Sequence, residues 1–300
     1  MAPREGNPAP PTSRLTGAAR VYGVLGHPVT HSLSPAMHNA AFAALGLDAV
    51  YVPFPVQPEE LPQAVAGLKA AGVCGFNLTV PHKTAILPLL ADMLPEARTV
   101  GAVNTVRCDK MRLIGANTDG IGFLLSLAQD LDFSPKDASV LMLGAGGAAR
   151  AIAFALLGAG TRRLWIANRT PGKAQSLAAD CLTRFPGAEV RGWPLQPAAL
   201  AGMEPDLVVQ TTTVGMGAPG NRESPLALAS LGVRQAVIDI VYHPLETAIL
   251  AEARSLGLRT ANGIGMLLYQ GAEAFRFWTE REPPVDTMRE ALIQALAARP

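Results

Sequence analysis

Cysteine is scarce in this 300-residue chain: Cys74, Cys108 and Cys181 are the only three, far apart and without a C-x-x-C spacing. An odd, scattered set argues against both a disulfide framework and a structural zinc site, so the thiols are expected to be reduced and mostly buried. Charge is also sparse, 16% of residues against 49% hydrophobic, with a formal net charge of +1. That balance excludes a disordered chain, and the lack of a long Lys/Arg run removes the footprint of a nucleic-acid binder. Apolar stretches such as Ala148 to Ala159 are too short and interrupted to cross a bilayer. The opening residues, Met1 to Gly17, contain no apolar core of a signal peptide, so a disordered tail over residues 1–18 and a cytoplasmic location are expected. The histidines do not cluster with carboxylates at ligand spacing: His27, His31, His82 and His243 fall in Pro-containing turns and His38 on a helix, so no metal is expected.

What the chain does have is rhythm. Short β-rich runs alternate with helical patterns: Val21 to Leu25, a helix from Pro35 to Leu45, Val50 to Pro53, a helix from Glu59 to Ala71, then Gly75 to Val80. This predicts an α/β fold with a mostly parallel sheet and helices on both faces. Gly101 to Arg107 and Met111 to Thr118 read as two strands joined by Cys108, Asp109 and Lys110, a hairpin placed to close that sheet. A second unit opens at Ser139 to Leu143, with strands at Leu164 to Ala167, Asp206 to Gln210 and Ala236 to Ile240. The expected architecture is two doubly wound domains, the first over 19–119 plus 263–300 and the second, of Rossmann type, over 120–262. The helices after Gly263, including one from Asp286 to Ala297, are expected to return to the first domain.

Gly144-Ala145-Gly146-Gly147-Ala148-Ala149-Arg150 follows the Ser139 to Leu143 strand and opens a helix, the context a dinucleotide fingerprint needs. Gly144 permits the tight turn, Gly146 allows backbone N–H groups to approach a pyrophosphate, and Ala149 allows close packing of helix on sheet. The next strand ends in Asn168-Arg169-Thr170. A guanidinium at that place pairs with a 2′-phosphate rather than accepting from a 2′-hydroxyl, with Thr170 and Lys173 as further donors, which selects NADP(H) over NAD.

Polar side chains gather at three strand ends of the first unit, where a doubly wound sheet holds its ligand. Ser32 and Ser34 precede Pro35 at a helix start, where Ser34 is also placed to cap the helix. Thr79 leads into Pro81-His82-Lys83. Asn104 and Asp119 end the hairpin region. A lysine and an aspartate beside amides and hydroxyls, next to a hydride carrier, suit oxidation and reduction of a hydroxyl group.

Eight motifs, His31-Ser-Leu-Ser-Pro35, Asn77-Leu-Thr-Val-Pro-His-Lys83, Gly101-Ala-Val-Asn-Thr105, Asn117-Thr-Asp-Gly120, Gly144-Ala-Gly-Gly-Ala148, Asn168-Arg-Thr170, Asp239-Ile-Val-Tyr242 with Pro244, and Gly265-Met-Leu-Leu-Tyr-Gln270, occur in this order. In them the chain resembles the shikimate dehydrogenase family from about Val21 to Trp278. The resemblance implies reversible NADPH-dependent reduction of 3-dehydroshikimate to shikimate, with Lys83 and Asp119 as the catalytic pair. It implies that Ser32 and Ser34 hold the substrate carboxylate, with Tyr242 near it, and that Thr79, Asn104 and Gln270 bind the substrate. It also implies a nucleotide site built from the 144–148 loop, Asn168, Arg169 and Thr170, with Thr212 and Gly263 beside it. Partners are then small molecules, the enzyme a monomer or homodimer. A quinate/shikimate enzyme using NAD(P) is the nearest alternative, and a non-catalytic metabolite-binding regulator a more distant one. Gln210 stands where the family often has Asn, which is expected to shift contacts under the nicotinamide, and His82 is expected to be a bystander beside Lys83.

Overall fold

The computed structural model describes residues 15–110, 112–217 and 223–298, so residues 1–14 of the expected tail, and Met111 of the expected hairpin, lie outside the described residues. Two six-stranded sheets carry the fold. The first contains β1 (Arg20–Gly26), β2 (Ala49–Pro55), β3 (Gly75–Leu78), β4 (Asp92–Met93), β5 (Thr105–Asp109) and β6 (Arg112–Ala116), in the order β2-β1-β3-β5-β6-β4. Around it lie α1 (Ser34–Ala44), α2 (Leu61–Ala70), α3 (His82–Ala85) and α4 (Pro95–Val100). The second contains β7 (Ser139–Leu143), β8 (Arg163–Asn168), β9 (Glu189–Pro194), β10 (Leu207–Gln210), β11 (Ala236–Asp239) and β12 (Arg259–Ala261), all parallel, in the order β12-β11-β10-β7-β8-β9. That is the Rossmann order, with its switch point between β7 and β10.

α5 (Asp119–Leu131) leaves the first sheet and runs into the second unit, which holds α6 (Gly147–Gly158), α7 (Pro171–Arg184), α8 (Pro197–Leu200) and α9 (Ala248–Ser255). α10 (Ile264–Thr279) and α11 (Val285–Ala297) then return to the first sheet. Met288, Leu292 and Leu296 of α11 share a core with Met37, Ala41 and Phe42 of α1. Trp278 of α10 donates its indole N–H to the Val106 carbonyl of β5 at 2.9 Å. β7 is buried on both faces, and its unbroken Ser-Val-Leu-Met-Leu run reflects a strand covered by helices on each side.

Four expectations need correction. The strands of the hairpin run on to Asp109 and resume at Arg112, so Cys108 pairs with Leu113 inside the ladder instead of lying in the loop. A two-residue connection matches the twist of paired strands, and Lys110 takes the positive φ of 44° that such a turn requires. Gly101 to Asn104 is not strand, because it follows the C-terminus of α4, and the hairpin does not close the sheet, because β4 pairs with β6 beyond it. Of the cysteines only Cys181 is buried; Cys74 and Cys108 are half-exposed at the end of the β3–β5 ladder, and all three are free. Among the described residues no helix is long and apolar enough to cross a membrane, and no group of three His, Cys, Asp or Glu is placed to hold a metal.

Candidate active site

The register of the first sheet builds one wall of the site. β3 runs antiparallel to β5, with Asn77 opposite Thr105, and Thr105 is opposite Ala116 on β6. The end of β3, the residue before β5 and the residues after β6 therefore meet at one edge. The loop after β1 carries Ser32 and Ser34 to the same edge, since β1 lies parallel to β3. In the second sheet Leu143, Gln210 and Asp239 are in register, so the strand ends that carry the glycine loop and the 240–242 segment also share an edge.

The two edges face each other across a cavity of about 280 Å³. Ser32, Ser34, Thr79, Lys83, Asn104, Asp119, Tyr242 and Gln270 all line it, together with Ala148 and Gly263 from the nucleotide side. Lys83 Nζ donates to Asp119 Oδ2 at 2.5 Å, with side-chain exposures of 21% and 6%. The pair is reachable from the cavity through the lysine. Asn104 Nδ2 donates to Asp119 Oδ1 at 2.8 Å and approaches Gln270 Oε1 at 3.4 Å. Asp119 also begins α5, where a negative charge meets the positive end of the helix.

Ser34 does not cap α1. The helix starts at Ser34 itself, with Leu33 at the cap position and no side-chain cap bond. The proline at its start needs no N–H partner, which removes part of the demand for a cap. The Ser34 N–H instead donates to Ser32 Oγ at 3.3 Å. His82 points away from the cavity: fully buried, its Nε2 lies 2.9 Å from the Val56 carbonyl, which can only accept, so Nε2 carries the proton. That bond ties the start of α3 to the residue after β2.

On the nucleotide side, Gly144 has φ +115°, and a Cβ there would collide with Thr211 Oγ1. Gly146 and Gly147 have nothing within 4 Å of a Cβ position, so the start of α6 presents open backbone. Ala149 is fully buried against the sheet. Arg169, Thr170 and Lys173 are exposed beyond the end of β8, and no ion pair engages Arg169 or Lys173 among the described residues. Asn168 Nδ2 donates to the Thr170 carbonyl at 3.0 Å and shapes that turn. A glycine cradle, an open helix start and two unpaired cations with a hydroxyl between them fit a phosphorylated dinucleotide. Thr212 sits across the switch point, where Gln210 Nε2 donates to its Oγ1 at 2.9 Å and to the Val214 carbonyl at 3.1 Å. Gln210 is fully buried, so its extra length goes into bracing the 212–214 loop from below.

Among the lining residues that the sequence did not single out, Asn77 and Met266 bear most on the site. Asn77 lines the cavity and lies two residues before Thr79, a period-2 relation that places both at the same edge. Met266 lines it from α10 as an apolar wall, and its helical spacing gives only a core signal.

Among known families, the model of the shikimate dehydrogenase substrate binding domain matches residues 24–106, that of shikimate / quinate 5-dehydrogenase residues 126–214, and that of the shikimate 5'-dehydrogenase C-terminal domain residues 263–293. A shikimate dehydrogenase (NADP(+)) of Geobacter sp. (strain M21) is 50% identical over 287 residues, covering 94% of this chain and 98% of that protein. A solved shikimate dehydrogenase in complex with NADP+ is 38% identical with a TM-score of 0.86, over 95% of this chain and 99% of the other. The shikimate 5-dehydrogenase of Thermus thermophilus, solved with NADP(H) and shikimate, is 42% identical with a TM-score of 0.81, over 92% of this chain and 99% of the other.

Proposed function

The chain belongs to the shikimate dehydrogenase family, and from that premise we propose that it interconverts 3-dehydroshikimate and shikimate with NADP(H), on the route to chorismate and the aromatic amino acids. The observation that carries this reading is the Lys83–Asp119 pair facing Ala148 and Gly263 across one cavity. When bound, NADP(H) supplies the hydride donor or acceptor for one ring carbon of the substrate.

The chain's own residues do the rest. Ser32 and Ser34 donate to the carboxylate at one end of the cavity, with Tyr242 beside them. Thr79, Asn104 and Gln270 hold the ring hydroxyls. As the ketone carbon is reduced, negative charge grows on its oxygen, and Lys83 Nζ delivers a proton there; in the reverse direction it takes the proton back. Asp119 keeps that nitrogen aimed into the cavity through the 2.5 Å contact. Gly144, Ala145, Gly146, Gly147 and Ala148 would hold the pyrophosphate of the dinucleotide, Asn168, Arg169, Thr170 and Lys173 would bind its 2′-phosphate, and Thr212 and Gly263 would border the nicotinamide.

Residues 19–119 with 263–300 form the substrate domain, and 120–262 the nucleotide domain. Both walls of the cavity come from one chain, which supports a site complete in each monomer, whether the enzyme works as a monomer or a homodimer. A cytoplasmic location is part of the same reading. Steady-state kinetics with shikimate and quinate, each with NADP+ and NAD+, tests the assignment. Shikimate with NADP+ should give the highest kcat/KM; quinate with NAD+ in first place would overturn both substrate and cofactor.

A further inference from the structure

Behind the cavity wall lies a buried run of polar groups whose proton directions can be derived from groups with only one possible role. Asn104 Oδ1 is identified by the Thr118 N–H that donates to it at 2.8 Å, and Asn104 Nδ2 by its contact with the Asp119 carboxylate. Asn77 Nδ2 lies 3.1 Å from the Asn104 carbonyl, which can only accept, so Asn77 Oδ1 faces the Tyr51 hydroxyl at 2.7 Å and must accept from it. Thr105 Oγ1 sits between the two amides, accepting from Asn77 Nδ2 at 3.0 Å. Its single proton goes to Asn104 Oδ1, also at 3.0 Å. One run of donors therefore leads from Tyr51 through Asn77, Thr105 and Asn104 to Asp119, with side branches from Asn77 Nδ2 to the Asn104 carbonyl and from Asn104 Nδ2 to Thr118 Oγ1 at 3.0 Å.

We propose that Thr105 is a positioning residue, the link that holds this directed chain together and sets the strength with which the Asn104 amide donates to Asp119. Thr105 is fully buried and, unlike its neighbours Asn77 and Asn104, does not line the cavity. Its effect must travel through Asn104. Hydrogen bonds donated head to tail polarise one another, and a bond donated to a carboxylate favours its ionised form. The charged group facing the Asp119 carboxylate is Lys83 from α3; Asn104 meets it as a neutral amide, Asn117 accepts from the Asp119 backbone N–H, and His31 and Tyr242 are the other titratable groups around the cavity.

This inference rests on Asp119 belonging to the catalytic pair, and the experiment separates the two. The pH profile of kcat is measured for wild type, Thr105→Val, Thr105→Ser, Tyr51→Phe and Asp119→Asn. Thr105→Val keeps the shape of the side chain and should lower kcat about fivefold, the factor that one net hydrogen bond is worth. It should also move the acid limb of the profile to higher pH and leave KM for NADP+ unchanged. Thr105→Ser restores the hydroxyl and should recover both. Tyr51→Phe, whose lost hydroxyl also meets Ser34, should give a smaller shift of the acid limb in the same direction, its effect on Ser34 showing separately in KM for shikimate, and stands in if Thr105→Val does not fold. An unmoved acid limb in Thr105→Val, or in Tyr51→Phe as its stand-in, or a Ser variant no better than Val, overturns the role of Thr105. An acid limb unchanged in Asp119→Asn overturns the catalytic pair itself.

Discussion

Lys83 and Arg169 illustrate two ways in which a single charge is used. Lys83 is tied to Asp119 and lines the cavity, so its removal deletes a positioned proton donor. Lys83→Ala should lower kcat on the order of a hundredfold or more, with little effect on substrate affinity, as read by steady-state kinetics and substrate titration. A kcat within a few-fold of wild type would remove Lys83 from the mechanism. Arg169 has no acidic partner among the described ion pairs and is exposed, so it is free for a phosphate. Arg169→Ala should raise KM for NADP+ by about tenfold or more, since a charge-assisted bond is lost, while KM for NAD+ stays within a few-fold. Equal losses with the two nucleotides would contradict a 2′-phosphate contact. Both residues were legible in the sequence because each ends a strand-and-turn motif. Asn77 was not, because nothing in a single polar residue inside an apolar strand distinguishes a cavity wall from a core hydrogen bond such as the one it accepts from Tyr51.

At the level of elements, the crossing of α5 and α10 decides where Gln270 sits. A Cβ on Gly122 of α5 would lie 2.5 Å from the Gln270 N and 2.7 Å from its Cβ, so the two helices touch backbone to backbone there. Gly122→Ala must push α10 outward and draw Gln270 away from Asn104. Overpacking of this kind costs about 1–3 kcal/mol, and the melting temperature should drop by several degrees with KM for shikimate rising several-fold. Gly67→Ala on α2, where a Cβ meets nothing within 4 Å, is the control and should be neutral or stabilising. If the two variants behaved alike, the close crossing would not be what positions Gln270. The long, strongly patterned elements such as β1, α1, β7 and α10 were readable from periodicity. The short ones were not: β4 has two residues, β12 three and α3 four, too few for any period to register, and their existence depends on neighbours that are distant in sequence. β9 was missed for a different reason, since as an edge strand it is only partly buried and lacks an apolar run.

Across the whole molecule, two buried titratable groups on opposite sides of the cleft should make stability insensitive to mild acid. His38, enclosed by Tyr51 and Trp278, is pushed by burial from 6.5 down to about 3. Its unfolded form binds a proton below pH 6.5 while the folded form does not, so its contribution is complete above that pH and is lost as pH falls. Asp239, at the end of β11, is pushed by burial from 3.8 up to about 6, with the Thr247 hydroxyl and Val241 N–H opposing the shift. Here the folded state holds the extra proton, so its contribution is complete below pH 3.8 and is lost as pH rises to about 6. Between about pH 4 and 6 each group gives a slope of about 1.4 kcal/mol per pH unit, with opposite signs, and the two cancel. The cancellation requires that both sheets unfold together. α5 and α10 supply that coupling, because Phe123 and Leu127 of α5 and Met266 of α10 belong to the nucleotide-side core while Leu268, Phe275 and Trp278 of α10 belong to the other. Urea unfolding should therefore give one transition of nearly constant midpoint from about pH 4.5 to 6, a window set by those two shifts. His38→Phe, which keeps an aromatic ring against Tyr51, should become less stable as pH rises through that window, and Asp239→Asn more stable. Two transitions moving in opposite directions in the wild type would mean that the sheets unfold independently, and parallel slopes in all three proteins would mean that neither group carries the pH dependence assigned to it.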